Sequence, residues 1–262
     1  MATSLSGKWI LITGASSGFG AAAATAFGQC AAKLLLGARR VDRLETVAAH
    51  ALKSGAQAAE FQTLDVASTP SVEAFAQWVR SKTRQVDILI NNAGGAHGLD
   101  PVAKGRDEDW EAMMQSNVLG LLRVTRAILP LMEKNPGSTI INIGSIAGQY
   151  AYEGGAVYCG AKAAERLITQ TLRLELSGTG IRVGSVNPGL AETEFSNVRF
   201  RGDAERAKRV YEGTHPLIAQ DIAETLVWIA TRPPHVNIDE LVIKPTDQAA
   251  IHKVYRRRPT PA

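Results

Sequence analysis

Tyr158 and Lys162 stand four residues apart in the run Tyr158-Cys159-Gly160-Ala161-Lys162. That spacing places both side chains on one face of a helix. A free tyrosine, titrating near pH ~10, exchanges protons poorly at neutrality, and an ammonium beside it favours the phenolate. A lysine can also donate to a ribose hydroxyl. Taken alone, such a pair is more often an exposed surface pair, so its surroundings decide. Ser145 closes Asn142-Ile143-Gly144-Ser145 after an apolar run. Its hydroxyl is suited to hydrogen-bond a substrate oxygen as charge develops there. Cys159 reads as a small packing residue. The five histidines show no metal-ligand spacing, and no metal is expected.

A second group lies near the amino terminus, in Thr13-Gly14-Ala15-Ser16-Ser17-Gly18-Phe19-Gly20. Gly14, Gly18 and Gly20 permit a tight turn and close approach of backbone to a diphosphate. Ser16 and Ser17 add hydroxyl donors, and a helix beginning at this turn would offer free N–H groups to an anion. About 20 residues further on, NAD binders carry an acid for the ribose 2′-hydroxyl. Here the position reads Gly37-Ala38-Arg39-Arg40. A guanidinium matches a 2′-phosphate and an acid would repel it, so NADP is the expected cofactor. Two readings stay open beside this one: Arg39 and Arg40 as solvated loop residues, and pairing of either with Asp42.

These groups need a scaffold that brings strand ends together. Apolar runs fall at Trp9 to Thr13, Leu34 to Leu36, Phe61 to Leu64, Val86 to Ile90, Thr139 to Ile143, Ile181 to Val186 and Leu241 to Ile243. Helical patterns separate them, at Ala21 to Phe27, Asp42 to Ser54, Ser71 to Lys82, about Asp107 to Glu133, Ala156 to Leu176 and Ile218 to Ala230. Strands that are apolar on both faces and alternate with helices predict a parallel sheet covered on both sides. The expected fold class is α/β, a single Rossmann-like doubly wound domain of about seven strands spanning 1–262. In such sheets ligands sit beyond the carboxyl ends of the strands.

The chain has 262 residues, 45% hydrophobic and 21% charged, which suits an ordinary globular protein. Two cysteines, Cys30 and Cys159, make no disulfide framework and favour a reducing compartment. No charged segment followed by an apolar stretch opens the chain, and no apolar run is long enough to span a bilayer. The expected location is the cytoplasm, without a membrane partner. The net charge is +4, and the only dense basic run is Arg256-Arg257-Arg258, within a basic tail at 253–262 that reads as solvated. No basic stripe interleaved with aromatic residues occurs, so a nucleic-acid partner is not expected.

Taken in order, these residues give the chain a resemblance to the short-chain dehydrogenase/reductase family over nearly its whole length. The matching pieces are Thr13-Gly14 with Gly18 and Gly20, Asp65, Asn91-Asn92-Ala93-Gly94, Asn117, Ser145, Tyr158 with Lys162, and Pro188-Gly189. The resemblance implies that Tyr158 is the general acid/base, that Ser145 orients and polarises the carbonyl, and that Lys162 holds the ribose. It implies that Asn117 fixes a proton-relaying water and that Asp65, with Val66 beside it, contacts adenine. Asn92, Ala93 and Gly94 would line the adenosine ribose, with Phe19 in the glycine turn. Pro188, Gly189, Leu190 and Thr193 would cover the nicotinamide. One departure stands out: Ala31 occupies a place where relatives often carry a helix-ending glycine, so that corner is expected to be strained or reshaped. The family also implies a homo-oligomer, a tetramer, built through the helices carrying Asn117 and Tyr158.

The segment from Pro188 to Gly202, within a substrate loop at about 188–216, resembles the branch acting on 3-hydroxy acids of the serine and allo-threonine type. An acid substrate calls for an arginine, and Arg199 and Arg201 are the candidates, against a solvent-facing role for both. The expected reaction is NADP-dependent oxidation of a small hydroxy acid to the oxo acid. A reductase of bulkier ketones is the rival among enzymes. An NADP-sensing regulatory protein is the rival outside them, disfavoured by the intact Asn117, Ser145, Tyr158 and Lys162 set.

Overall fold

A computed structural model of the chain describes residues 5–132, 135 and 137–257. Met1 to Ser4, Glu133 at the end of one expected helix, and the last part of the basic tail from Arg258 lie outside the described residues.

Seven strands form one sheet: β1 (Trp9–Thr13), β2 (Lys33–Ala38), β3 (Ala58–Thr63), β4 (Ile88–Asn91), β5 (Thr139–Ile143), β6 (Arg182–Pro188) and β7 (Glu240–Ile243). All pairings are parallel, in the order β3-β2-β1-β4-β5-β6-β7. The chain runs outward from β1 to β3, then crosses back to place β4 on the other side of β1. The carboxyl ends of β1 and β4 therefore diverge into a crevice.

The helices α1 (Gly18–Gln29), α2 (Val41–Lys53), α3 (Thr69–Lys82), α4 (Asp107–Met114), α5 (Gly120–Ile128) and α6 (Ala156–Glu175) cover the sheet, with α7 (Phe195–Arg199), α8 (Ala204–Arg209) and α9 (Ala219–Ala230) following β6. Alternation along the strands divides the core in two. Ile10 and Ile12 pack with Leu34 and Leu36 under Ala23 and Phe27 of α1 and Ile222 and Leu226 of α9. Leu11, Leu35 and Leu89 point the other way, against Phe75 and Val79 of α3, Leu121 and Val124 of α5, and Leu172 of α6. All of these are buried, and each large apolar side chain withdrawn from water contributes about 1.5–3 kcal/mol.

Three sequence expectations are refined. The helices expected over about 107–133 form, but α4 and α5 are joined by a π-helical turn over Gln115–Leu119 that was not expected. The substrate loop at 188–216 is not plain loop, because it carries α7, α8 and the strand Ala191–Glu192, which pairs with Leu217–Ile218 beyond the loop's end. The described part of the basic tail is exposed, as expected, but makes defined contacts as well. Lys253–Val254 pairs with Gln248–Ala250, Arg257 bonds both oxygens of Asp247, and Arg256 donates to the carbonyls of Val210 and Glu212.

The corner at Ala31 is the one the sequence flagged. Ala31 has φ 59°, a left-handed conformation. Its N–H bonds the Gly28 carbonyl, and that of Ala32 bonds Phe27, closing α1 with a Schellman motif that ordinarily uses glycine. Arg182 of β6 was not singled out in sequence. Its buried guanidinium donates to the carbonyls of Ala230 (2.8 Å) and Arg232 (3.0 Å), capping the carboxyl end of α9.

Candidate active site

The glycine turn follows β1 and leads into α1, as expected. Gly14 and Gly18 have φ of 65° and 52°, where only glycine is unstrained. A Cβ on Gly14 would lie 2.9 Å from the Ala93 Cα, and one on Gly20 2.5 Å from the Gly14 carbonyl. Asn92 braces the turn, its Nδ2 donating to the carbonyls of Thr13 (2.9 Å) and Gly14 (3.2 Å). Ser17 precedes α1 but makes no side-chain cap, and the first turn of α1 has no acid. The result is a cradle of small residues at a helix amino terminus, the chemistry that receives a diphosphate.

Beyond β2, Arg40 turns back toward this cradle. Its Nη2 donates to Ser17 Oγ (2.6 Å) and its Nε to Ser16 Oγ (3.3 Å). Its Nη1 meets Glu194 (3.0 Å), whose other oxygen pairs with Arg43. These guanidinium groups hold the Glu194 carboxyl below the usual carboxylate range, through its bond to Arg43 and then that to Arg40. Arg40 does not pair with Asp42. Arg39 is exposed and makes no hydrogen bond or ion pair among the described residues. The cluster of Ser16, Ser17, Arg40 and Arg43 fits a dianionic phosphate at the end of the cradle. Neither Arg43 nor Glu194 was singled out in sequence. Arg43, one helical turn after Arg40, carried the signal for itself.

Asp65 follows β3 and its Oδ1 accepts from Ala67 N (3.0 Å). It does not cap α3; Ser68 does. Val66 packs under Gly120 of α5. Asn91 is a buried brace, its Nδ2 donating to Thr125 Oγ1 and Asn142 Oδ1. Asn117 sits in the π-helical turn, 2% exposed, bonded to both backbone groups of Gly95. A Cβ on Gly94 would lie 2.5 Å from Asn117 Oδ1, so the run from Asn92 to Gly94 passes directly over it.

Ser145 follows β5 and caps the short turn Ile146–Gly148, accepting from Ala147 N (3.1 Å). That turn lies against α6: a Cβ on Gly148 would meet the Lys162 carbonyl at 2.6 Å. Ala147 and Tyr158 share one small buried cluster with Ala96, Met113 and Cys159. Cys159 packs there, as expected. Ser145 is thus carried to the same end of the sheet as Tyr158, with its hydroxyl hydrogen free to donate.

Lys162 lies one turn along α6 from Tyr158, close enough for their charges to act on each other. It is 7% exposed, and its Nζ donates to the Ile143 carbonyl (2.8 Å) and Glu165 Oε2 (2.7 Å). Burial opposes the charge on this ammonium. The Glu165 carboxylate, with Tyr158 behind it, outweighs that, and Lys162 titrates above the ordinary lysine value.

Pro188, Gly189 and Leu190 leave β6 under Gln248, which accepts from Leu190 N (2.7 Å). Thr193 then reaches the glycine turn: its Cβ lies 3.6 Å from where a Cβ on Gly18 would be. Phe195 packs on Tyr158 with ring centroids 5.6 Å apart. Arg199 lies over the rings of Tyr152, Tyr158 and Phe195 at 5.4 to 5.5 Å, and donates to Tyr152 Oη and the Gly98 carbonyl. Burial pushes the Tyr152 hydroxyl up to about 12 despite Arg199. Beside them opens a cleft lined by His97, Arg106, Asp109, Trp110, Tyr158 and Arg199 among others. Arg201, in contrast, is exposed and paired with Asp109, outside this lining. The structure therefore brings Arg199 to the Tyr158 ring and leaves Arg201 at the rim.

Comparison with known proteins accords with this geometry. The model of the family described as short chain dehydrogenase matches residues 8–203. An NADP-dependent 3-hydroxy acid dehydrogenase from Schizosaccharomyces pombe is 41% identical over 256 residues, 97% of this chain and 98% of that one. A sulfoacetaldehyde reductase from Chromohalobacter salexigens is 42% identical over 243 residues, 92% and 95% of the two chains. Among solved structures, the closed form of a serine dehydrogenase complexed with NADP+ superposes with a TM-score of 0.88 at 39% identity, covering 95% of this chain and 100% of that one.

Proposed function

Because the chain belongs to the short-chain dehydrogenase family, we propose that it is an NADP-dependent oxidoreductase interconverting small 3-hydroxy acids and their 3-oxo acids. What supports this reading is Lys162 one helical turn from Tyr158, Ser145 on the turn that packs against the same helix, and Arg199 over the Tyr158 ring. Relatives at about 40% identity bear names of enzymes for 3-hydroxy acids, and a structural neighbour holds NADP+.

In oxidation the Tyr158 oxygen takes the substrate hydroxyl proton, and in reduction it returns it. Ser145 donates to the substrate oxygen, and Lys162 holds the nicotinamide ribose. Gly14, Ser16, Ser17, Gly18, Phe19 and Gly20 receive the diphosphate, with Asp65 and Val66 at adenine, and Asn92, Ala93 and Gly94 at its ribose. Arg40, with Arg39 and Arg43, receives the 2′-phosphate. Pro188, Gly189, Leu190 and Thr193 cover the nicotinamide, and Asn117 fixes a proton-relaying water. NADP+, when bound, supplies the hydride acceptor. Arg199 holds the substrate acid group, with Arg201 a secondary candidate at the rim.

The stacking of Arg199 on the Tyr158 ring favours compact acids over bulky ketones. Exposed Leu119 and Leu122 near Asn117, and Leu167 and Leu174 on α6, suit a homotetramer built through these helices, which light scattering would weigh. No described helix is long and apolar enough to cross a membrane. The free thiols of Cys30 and Cys159 suit a reducing compartment such as the cytoplasm. A spectrophotometric panel tests the substrate: serine, allo-threonine, 3-hydroxyisobutyrate and 3-hydroxypropionate with NADP+ and NAD+, and sulfoacetaldehyde with NADPH. The reading requires hydroxy acids with NADP+ to be preferred. Preference for sulfoacetaldehyde or a bulky ketone would replace it.

A further inference from the structure

Glu165 is a buried acid for which the reaction above has no use. It lies three residues after Lys162 on the inner face of α6, and its side chain is 3% exposed. One oxygen receives the Lys162 ammonium at 2.7 Å; the other, Oε1, has no partner among the described residues. An ionised pair taken out of water gains stability only where geometry and further hydrogen bonds compensate its desolvation, so one oxygen left bare is a cost without structural return. An apolar residue would fill the same core position without it.

The geometry around Lys162 explains what the cost accomplishes. An ammonium has three N–H groups. One goes to the Ile143 carbonyl at the end of β5 and one to Glu165, which fixes Nζ between the sheet and its own helix. One remains. The helix side is itself held, since Thr169 Oγ1 donates to the Glu165 carbonyl (2.8 Å) and accepts from Asn142 of β5 (2.8 Å). A flexible four-carbon side chain is thereby reduced to a single placement, with one donor left to give.

We propose that Glu165 is a positioning residue: it pins the Lys162 ammonium, still charged, so that its one remaining N–H is presented to the nicotinamide ribose. This rests on the reading that NADP(H) occupies the crevice beyond the strand ends. Among the described residues, the titratable groups whose charge acts on Lys162 are Glu165 and Tyr158, both on α6, while β5 contributes a carbonyl. With Glu165 neutralised, burial would be the larger influence and would push the ammonium down.

The test is direct binding to Glu165→Gln and Glu165→Asp, each first checked by thermal melting. The ligands are NADPH and adenosine 2′,5′-bisphosphate, which carries the 2′-phosphate but no nicotinamide ribose. Glu165→Gln should weaken NADPH about tenfold, the scale of one charge-assisted hydrogen bond, and leave the bisphosphate within about twofold. In a Lys162→Met background the same change should have no further effect on NADPH. The alkaline limb of kcat should fall by about one pH unit or more in Glu165→Gln, and Glu165→Asp should restore it. If Glu165→Gln does not fold, the apolar Glu165→Met carries the binding test, with selective loss for NADPH again expected. Equal weakening of both ligands, or NADPH affinity unchanged while the wild type binds both, overturns the role of Glu165 alone. A wild type that binds neither ligand overturns the cofactor reading, and this proposal with it.

Discussion

The guanidinium of Arg199 lies over the ring of Tyr158, 5.4 Å from its centroid. The residue proposed to hold the acid group is thus stacked on the residue proposed to move the proton. A substrate engaging both must be short. Arg199→Ala should raise KM for 3-hydroxy acids about tenfold or more, while a neutral alcohol of the same size changes little. Arg201→Ala removes only an exposed pair with Asp109 and should alter either KM by less than about threefold. Steady-state kinetics on matched acid and alcohol substrates separates the two arginines.

Arg40 is bound to Ser16, Ser17 and Glu194, which joins the glycine turn to the loop that follows β6. Arg40→Ala should weaken NADP+ about 10- to 100-fold and NAD+ far less, because only the former carries the dianion. Dissociation constants for both nucleotides check this. Equal losses would mean that Arg40 serves the loop rather than the phosphate.

Ala31 pays a backbone cost of roughly 1–2 kcal/mol at φ 59° that glycine would not. Part of the gain from Ala31→Gly is returned through the freer unfolded chain. The net should be about 0.5–1 kcal/mol, seen as a melting point about 1–4 °C higher with kcat unchanged.

The Asp247 carboxyl is held below its usual range by Arg257, and then by the His215 N–H. For a depressed carboxyl, the stabilisation is fully present above the unfolded value, near pH ~4, and is lost as pH falls through the lower folded value. Asp247→Asn should therefore melt below wild type at pH 7, and the gap should close toward pH ~3. A gap that persists in acid would show that shape rather than charge holds the carboxyl-terminal hairpin.

The sequence disclosed what is local or periodic. The inner strands β1, β2, β4 and β5 could be placed because residues such as Ile10, Leu35 and Ile141 are buried and leave apolar runs, whereas the edge strands β3 and β7 are only half-buried and left weaker signals. The glycine turn and the Tyr158–Lys162 spacing are likewise written within a few residues. The π-helical turn at Asn117 was not legible, since a one-residue widening of a helix leaves no mark in apolar periodicity. Contacts across the fold were also hidden. Arg40 and Glu194 are 154 residues apart, and nothing at either position indicates the other. Glu165 was hidden differently: a charged residue three positions after a lysine reads as an exposed pair, and only the packing of α6 on β5 reveals it as buried.

The central claim is that the Tyr158 hydroxyl carries the proton in the chemical step. Its most direct test is kcat for Tyr158→Phe on the best hydroxy acid with NADP+, alongside NADPH affinity and melting point. The account predicts a loss of about 100- to 10,000-fold in kcat with binding and stability retained. Turnover at the wild-type rate by the Phe variant would contradict it.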